Sequence, residues 1–135
     1  EILMDRVAEL SRTALFEKGL NVIIFPEGTR SRTVGEGRTG VAQLALHTEK
    51  KVVPVGCNHS DKVYTGSLPF ARSGKIVYRV GDPVSVEDDL KEYRIPEPFR
   101  LFSRESQKKY RDRFEAVTRI LMERINGLVD EEYRR

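Results

Sequence analysis

Leu3, Val7, Leu10 and Ala14 recur at intervals of four, three and four, which places them on one face of a helix. Lys18-Gly19 supplies the cation and glycine typical of a helix C-terminus. The run Val22-Ile23-Ile24-Phe25 is short, continuous and largely β-branched, and predicts a strand buried on both faces. Pro26 ends it, because proline cannot donate to a sheet ladder. Residues 27–40 show no apolar period and carry Gly28, Gly35, Gly37 and Gly40, so they predict a loop. Val41, Leu44 and Ala45 then resume helical spacing. Lys51 to Cys57 predicts a second strand, with Pro54 setting it at an edge or a bulge.

Strand, helix and strand in this order, with about 25 residues between the strands, predict a βαβ unit and a parallel pair with a right-handed crossover. Sheets of that kind hold ligands at the carboxyl ends of their strands, which favours the loop after Phe25 as a site. Residues 58–74 predict another loop. Ile76, Tyr78 and Val80 alternate on one face of a third strand, closed by Gly81-Asp82-Pro83. Asp88 to Tyr93 suits a helical turn, and Arg94 to Phe99 a proline-stiffened extended stretch. Ser103 is placed to cap a long final helix with the apolar stripe Tyr110, Phe114, Val117, Leu121, Ile125 and Leu128. A stripe this regular predicts packing onto the domain rather than a membrane-surface role. The fold class expected is α/β.

Composition narrows the partners. The 135 residues suit one compact domain or a large piece of one, and 39% hydrophobic against 33% charged residues allow a core with a solvated surface. A formal charge of +3 fits either an ordinary surface or one drawn to anionic lipid or phosphate. Nucleic acid is not expected, since the basic residues alternate with acids and form no stripe. Cys57 is a lone cysteine in an apolar run, expected to be a small buried hydrophobe rather than a nucleophile. No apolar run approaches the roughly 20 residues that span a bilayer. Because the chain starts at Glu1 with a helical pattern under way by Leu3, further sequence is expected upstream.

The chemistry concentrates in Phe25-Pro26-Glu27-Gly28-Thr29-Arg30-Ser31. Gly28 lets the backbone approach a ligand without a Cβ, and Thr29 and Ser31 offer hydroxyl donors. Arg30 supplies a planar fork able to hold two phosphate oxygens at once. Glu27 would repel a phosphate, so it orients Arg30 or a neighbouring amide, or accepts a bond from a ligand hydroxyl. A plain structural turn explains the glycine and threonine equally well.

This seven-residue stretch resembles the third sequence block of the 1-acylglycerol-3-phosphate acyltransferase family. The resemblance extends to Phe16-Glu17-Lys18-Gly19 before it, to Thr39–Ala45 after it, to Val53-Pro54-Val55 as a fourth block, and to Lys75–Val84, thus covering roughly residues 8–86. It implies a partial glycerolipid-acyltransferase fold, with a mixed, mostly parallel sheet flanked by helices. It further implies transfer of an acyl group from acyl-coenzyme A or acyl-carrier protein to a lysophospholipid such as 1-acylglycerol 3-phosphate. Glu27, Gly28, Thr29 and Arg30 would hold the acceptor phosphate, and Val53, Pro54 and Val55 would line or support the acyl pocket. No metal or separate cofactor is implied. Ornithine-lipid and related acyltransferases share similar blocks.

The family's catalytic pair is a histidine followed five positions later by an aspartate. Here the residue five after His47 is Val52, and five after His59 is Tyr64. Neither histidine is therefore assigned a catalytic role, the base is expected upstream of Glu1, and this chain by itself is expected to be inactive. The resemblance also implies a place at the cytoplasmic face of a membrane, peripheral or anchored through upstream sequence. A non-catalytic lipid- or phosphate-binding module derived from such an enzyme is the alternative, and a structural domain with an accidental motif a third.

Overall fold

The computed structural model describes residues 2–29, 31–66 and 70–135. Helix α1 (Ile2–Arg12) runs into a π-helical turn at Thr13–Glu17, close to the predicted first helix. An irregular stretch leads to α2 (Gly40–Thr48), then β1 (Val55–Asn58), the short α3 (Ser60–Val63) and β2 (Val77–Val80). A 3-10 turn at Lys91–Tyr93 precedes α4 (Arg104–Lys109) and α5 (Arg111–Asn126), and a last 3-10 turn lies at Glu131–Tyr133.

The core is made by α5 lying against α2. Phe114, Val117 and Leu121 of the predicted stripe are buried with Val41, Ala42 and Leu46 of α2 and with Val84, Val86, Leu90 and Ile95. Burying each large side chain of this kind contributes roughly 1.5–3 kcal/mol. Ser103 caps α4, its hydroxyl accepting from the Ser106 amide at 3.1 Å. The helix breaks at Tyr110 instead of running on unbroken. Tyr110 is itself buried, and its hydroxyl donates to Glu97 at 2.8 Å, so its ring serves the core at the break.

The sheet departs from the expected one. Among the described residues it has two strands, and β1 pairs with β2 antiparallel, Val55 opposite Val80 and Asn58 opposite Val77. A single antiparallel bridge, Val52 to Val84, continues the pairing past Pro54. Val22–Phe25 forms no strand, so neither the parallel pair nor the mostly parallel sheet is present. The physical reason is the lack of a neighbour. Ile23 is 82% and Phe25 81% exposed, and a lone extended segment bonds to water unless a second strand faces it. The face of α1 is likewise uncovered, with Leu3 74% exposed. Cys57 is exposed rather than buried, because strand alternation sets Gly56 and Asn58 inward and turns its thiol outward beside Tyr78. Residues 58–74, expected to be all loop, contain α3.

The C-terminal segment straps across β1. Asn58, fully buried, donates to the carbonyls of Val77 and Leu128 and accepts from the Asp130 amide at 2.6 Å, joining both strands to the strap. Asp130 takes Arg79 at 2.8 Å and His59 at 3.0 Å. Tyr133 donates to Asp61 at 2.8 Å. Among the described residues no helix is long and apolar enough to cross a membrane.

A Cβ on Gly56 would sit 2.7 Å from the backbone carbonyl of Leu128, which cannot move aside without lifting the strap. Gly56→Ala is therefore expected to destabilise the fold by about 1–3 kcal/mol, read as a lower urea midpoint. The strap also predicts an acid dependence. The Arg79 bond holds the Asp130 carboxyl below its usual value, and the Tyr133 hydroxyl does the same for Asp61. A depressed folded value means the unfolded chain binds more protons. The contribution is therefore full above about pH 4 and is lost as pH falls through the folded values. Asp130→Asn should flatten that acid limb in denaturation curves taken from pH 6 downward; an unchanged limb would remove Asp130 from the account.

Candidate functional site

The turn after Phe25 closes locally, the Gly28 amide donating to the Phe25 carbonyl at 3.1 Å. Pro26 and Gly28 occupy the second and fourth positions, where their fixed and permissive φ angles are favoured. Gly28 adopts φ +70°, a left-handed conformation that a side chain would strain. A longer ring then forms around this turn. The Arg38 amide donates to the Pro26 carbonyl at 2.7 Å, so the chain from Pro26 to Arg38 returns to its start as a compact Ω-type loop.

Glu27 points into that ring. Its Oε1 accepts a short hydrogen bond from the Gly35 amide, a charge-assisted bond across the loop. Contact with a neighbouring amide, one of the roles open to Glu27 in the sequence, is thus present among the described residues. Outer contacts hold the ring to the body of the protein. The Val34 amide donates to the Tyr133 carbonyl at 2.8 Å, and Arg135 meets Glu36 at 2.8 Å. Gly37 lies so close to α5 that a Cβ would fall 2.7 Å from Thr118 Cγ2 and Met122 Cγ. Arg32 reaches Asp61 at 3.5 Å and Glu132 at 3.9 Å.

Thr29 is exposed at the rim beside Gly28. Arg30, the predicted phosphate fork, lies outside the described residues. Val53 and Val55 are exposed and Pro54 buried; the Pro54 carbonyl accepts from the Gly81 amide at 2.9 Å. The fourth-block residues thus stand at the entry to β1, with both valines facing solvent on the same side as Cys57.

Neither histidine joins the turn. His47, on the exposed side of α2, sets one ring edge against Phe99 with centroids 5.1 Å apart. That partial covering lowers its pKa, against an opposing hydrogen bond to the Phe99 backbone. His59 is held by Asp130 at 3.0 Å in the strap. Among the described residues no group of three or more His, Cys, Asp or Glu could hold a metal ion.

Two participants escaped the sequence reading. Arg38 follows Gly37 in an aperiodic stretch, and the Gly35 amide gains its role only when the ring closes. The density of glycine in residues 28–40 was the available signal that backbone there approaches other groups closely.

Residues 2–58 match the acyltransferase family, a span that contains α1, the whole Pro26–Arg38 ring, α2 and β1. Over 87 residues the chain is 29% identical to the "1-acyl-sn-glycerol-3-phosphate acyltransferase" of Cocos nucifera, a stretch that is 63% of this chain and 28% of that relative. The chain therefore spans little more than a quarter of that relative's length. No solved structure matches. The resemblance carried by Phe25–Ser31 is borne out, and the acyltransferase match ends with β1 at Asn58.

Removing the carboxylate by Glu27→Ala leaves the Gly35 amide without its partner while the core is untouched. Exchange of that amide with deuterium should quicken by on the order of 10- to 100-fold, with exchange of the α5 amides unchanged. Unaltered protection at Gly35 would show that the ring does not depend on Glu27.

Proposed function

We propose that this acyltransferase region holds the acceptor-phosphate site of an O-acyltransferase of phospholipid synthesis. The enzyme moves a fatty acyl group from acyl-coenzyme A or acyl-carrier protein to a lysophospholipid such as 1-acylglycerol 3-phosphate. One observation carries this reading. The family match covers a turn whose glycine has the left-handed backbone that close ligand approach needs, and whose carboxylate is turned inward onto the Gly35 amide. Glu27 directs its carboxylate onto the Gly35 amide, and the Gly28-Thr29 rim is exposed.

In this reading Thr29 and Arg30 grip the phosphate and fix where the acceptor hydroxyl lies. A base deprotonates that hydroxyl, which attacks the thioester carbonyl and releases the thiol. The spacings after His47 and His59 lack the required aspartate, and the partners of both rings serve the fold. The base therefore comes from outside residues 1–135. Val53, Pro54 and Val55 support the acyl chain, and the reaction takes place at the cytoplasmic surface of a membrane. Holding the acceptor in place supplies several kcal/mol of barrier reduction.

The test is transfer of a labelled acyl group to 1-acylglycerol 3-phosphate by the complete protein. Arg30→Ala should raise the acceptor KM by about tenfold or more, with a smaller effect on the acyl-donor KM. The 135-residue chain alone should give no turnover. An Arg30→Ala enzyme with unchanged acceptor dependence would remove the assignment.

A further inference from the structure

Two sets of bonds fasten the Pro26–Arg38 ring. One closes it within itself, through the Arg38 amide on the Pro26 carbonyl and the Gly35 amide on Glu27. The other runs outward from residues 31–36. The Val34 amide donates to the Tyr133 carbonyl, and Arg32 lies between Asp61 and Glu132. These outward partners belong to α3 and to the Glu131–Tyr133 turn of the strap. The ring lies inside the family match at residues 2–58, and both of those elements lie outside it. We propose that α3 and the strap turn form a clasp that opens while the core stays folded, and so sets the shape of the outer half of the ring. The inference goes beyond the acceptor reading of the turn and does not depend on it.

Burial separates the clasp from the core. Val63 of α3 and Tyr133 of the strap are both buried, yet neither belongs to the cluster that α5 and α2 build. Buried groups outside the main cluster open at lower free energy than the core beside them. The two parts are also joined to each other. Tyr133 donates to Asp61 at 2.8 Å, Lys62 meets Glu132 at 2.7 Å, and the Lys62 ammonium stands 5.8 Å from the centre of the Tyr133 ring.

The strap is pinned at its ends and more lightly held between them. Near its start, the fully buried Asn58 side chain bonds the Leu128 carbonyl and the Asp130 amide. At its finish, the Arg135 amide donates to Asn126 at the end of α5. Between these points the turn meets the ring and α3 through exposed charges, one hydroxyl and one carbonyl. Arg32 is 69% exposed, and exposed ion pairs hold little by themselves. Asp61 is the junction. One of its oxygens accepts from Tyr133 and the other faces Arg32 at 3.5 Å, so a single carboxylate links α3, the strap and the ring.

Hydrogen–deuterium exchange of the 135-residue chain, followed amide by amide, tests the clasp. Tyr133→Phe keeps the buried ring and removes its bond to Asp61. Asp61→Ala removes the acceptor for Tyr133 and the partner of Arg32 together. In either variant the Val34 amide should exchange about 3- to 10-fold faster. The Arg38 amide and the α5 amides should keep their wild-type rates, because their partners lie outside the clasp. Asp61→Asn, which retains an oxygen to accept from Tyr133, should recover part of the Val34 protection. Unchanged Val34 exchange in both Tyr133→Phe and Asp61→Ala would overturn the inference. So would a rise shared equally by Arg38 or by α5, because the ring or the whole fold would then be opening as one.

Discussion

The burial of α5 against α2 is the interaction on which the rest of this structure depends. Phe114, Val117 and Leu121 meet Val41, Ala42 and Leu46 with almost no exposed surface, and loss of that contact would dissolve the core. It also sets the position of the candidate site. Gly37 rests directly on Thr118 and Met122 of α5, and α2 begins at Gly40, so the ring from Pro26 to Arg38 is carried on the helix pair. The C-terminal strap supports the same ring from outside through the Tyr133 carbonyl and Arg135.

A loop of this length gains a defined shape only if its internal polar groups are satisfied. Here the Glu27 carboxylate and the Pro26 carbonyl serve as acceptors for the amides of Gly35 and Arg38, and both bonds span the ring. The one acid in the motif is turned onto the Gly35 amide, and Arg38 closes the ring through its backbone.

Much of the fold was legible in periodicity. The buried stripe Phe114, Val117 and Leu121 and the helix holding Val41, Leu44 and Ala45 follow from side-chain spacing, because a helix buries a face that its own sequence defines, and the cap follows from the Ser103 hydroxyl; the break at Tyr110 and the end of α5 before Leu128 do not. The strand at Val22–Phe25 was not, although its residues have strand chemistry. A helix satisfies its backbone within itself, whereas a strand depends on a neighbour, and no described segment pairs with this one. Among the described residues β1 therefore has β2 as its antiparallel neighbour and lacks the parallel partner expected in Val22–Phe25, while Cys57 faces out through the alternation of β1.

The seven residues from Phe25 to Ser31 carried the family resemblance on their own, and within them proline fixes φ while glycine permits the left-handed turn whatever surrounds them. Tertiary structure decided how the charges around that turn are paired. Glu27 finds Gly35, the Arg38 amide finds the Pro26 carbonyl, and Arg32 finds Asp61 only after the chain has closed its ring and the strap has come across. Backbone preference is local, whereas pairing of charge depends on which distant groups the fold brings within reach.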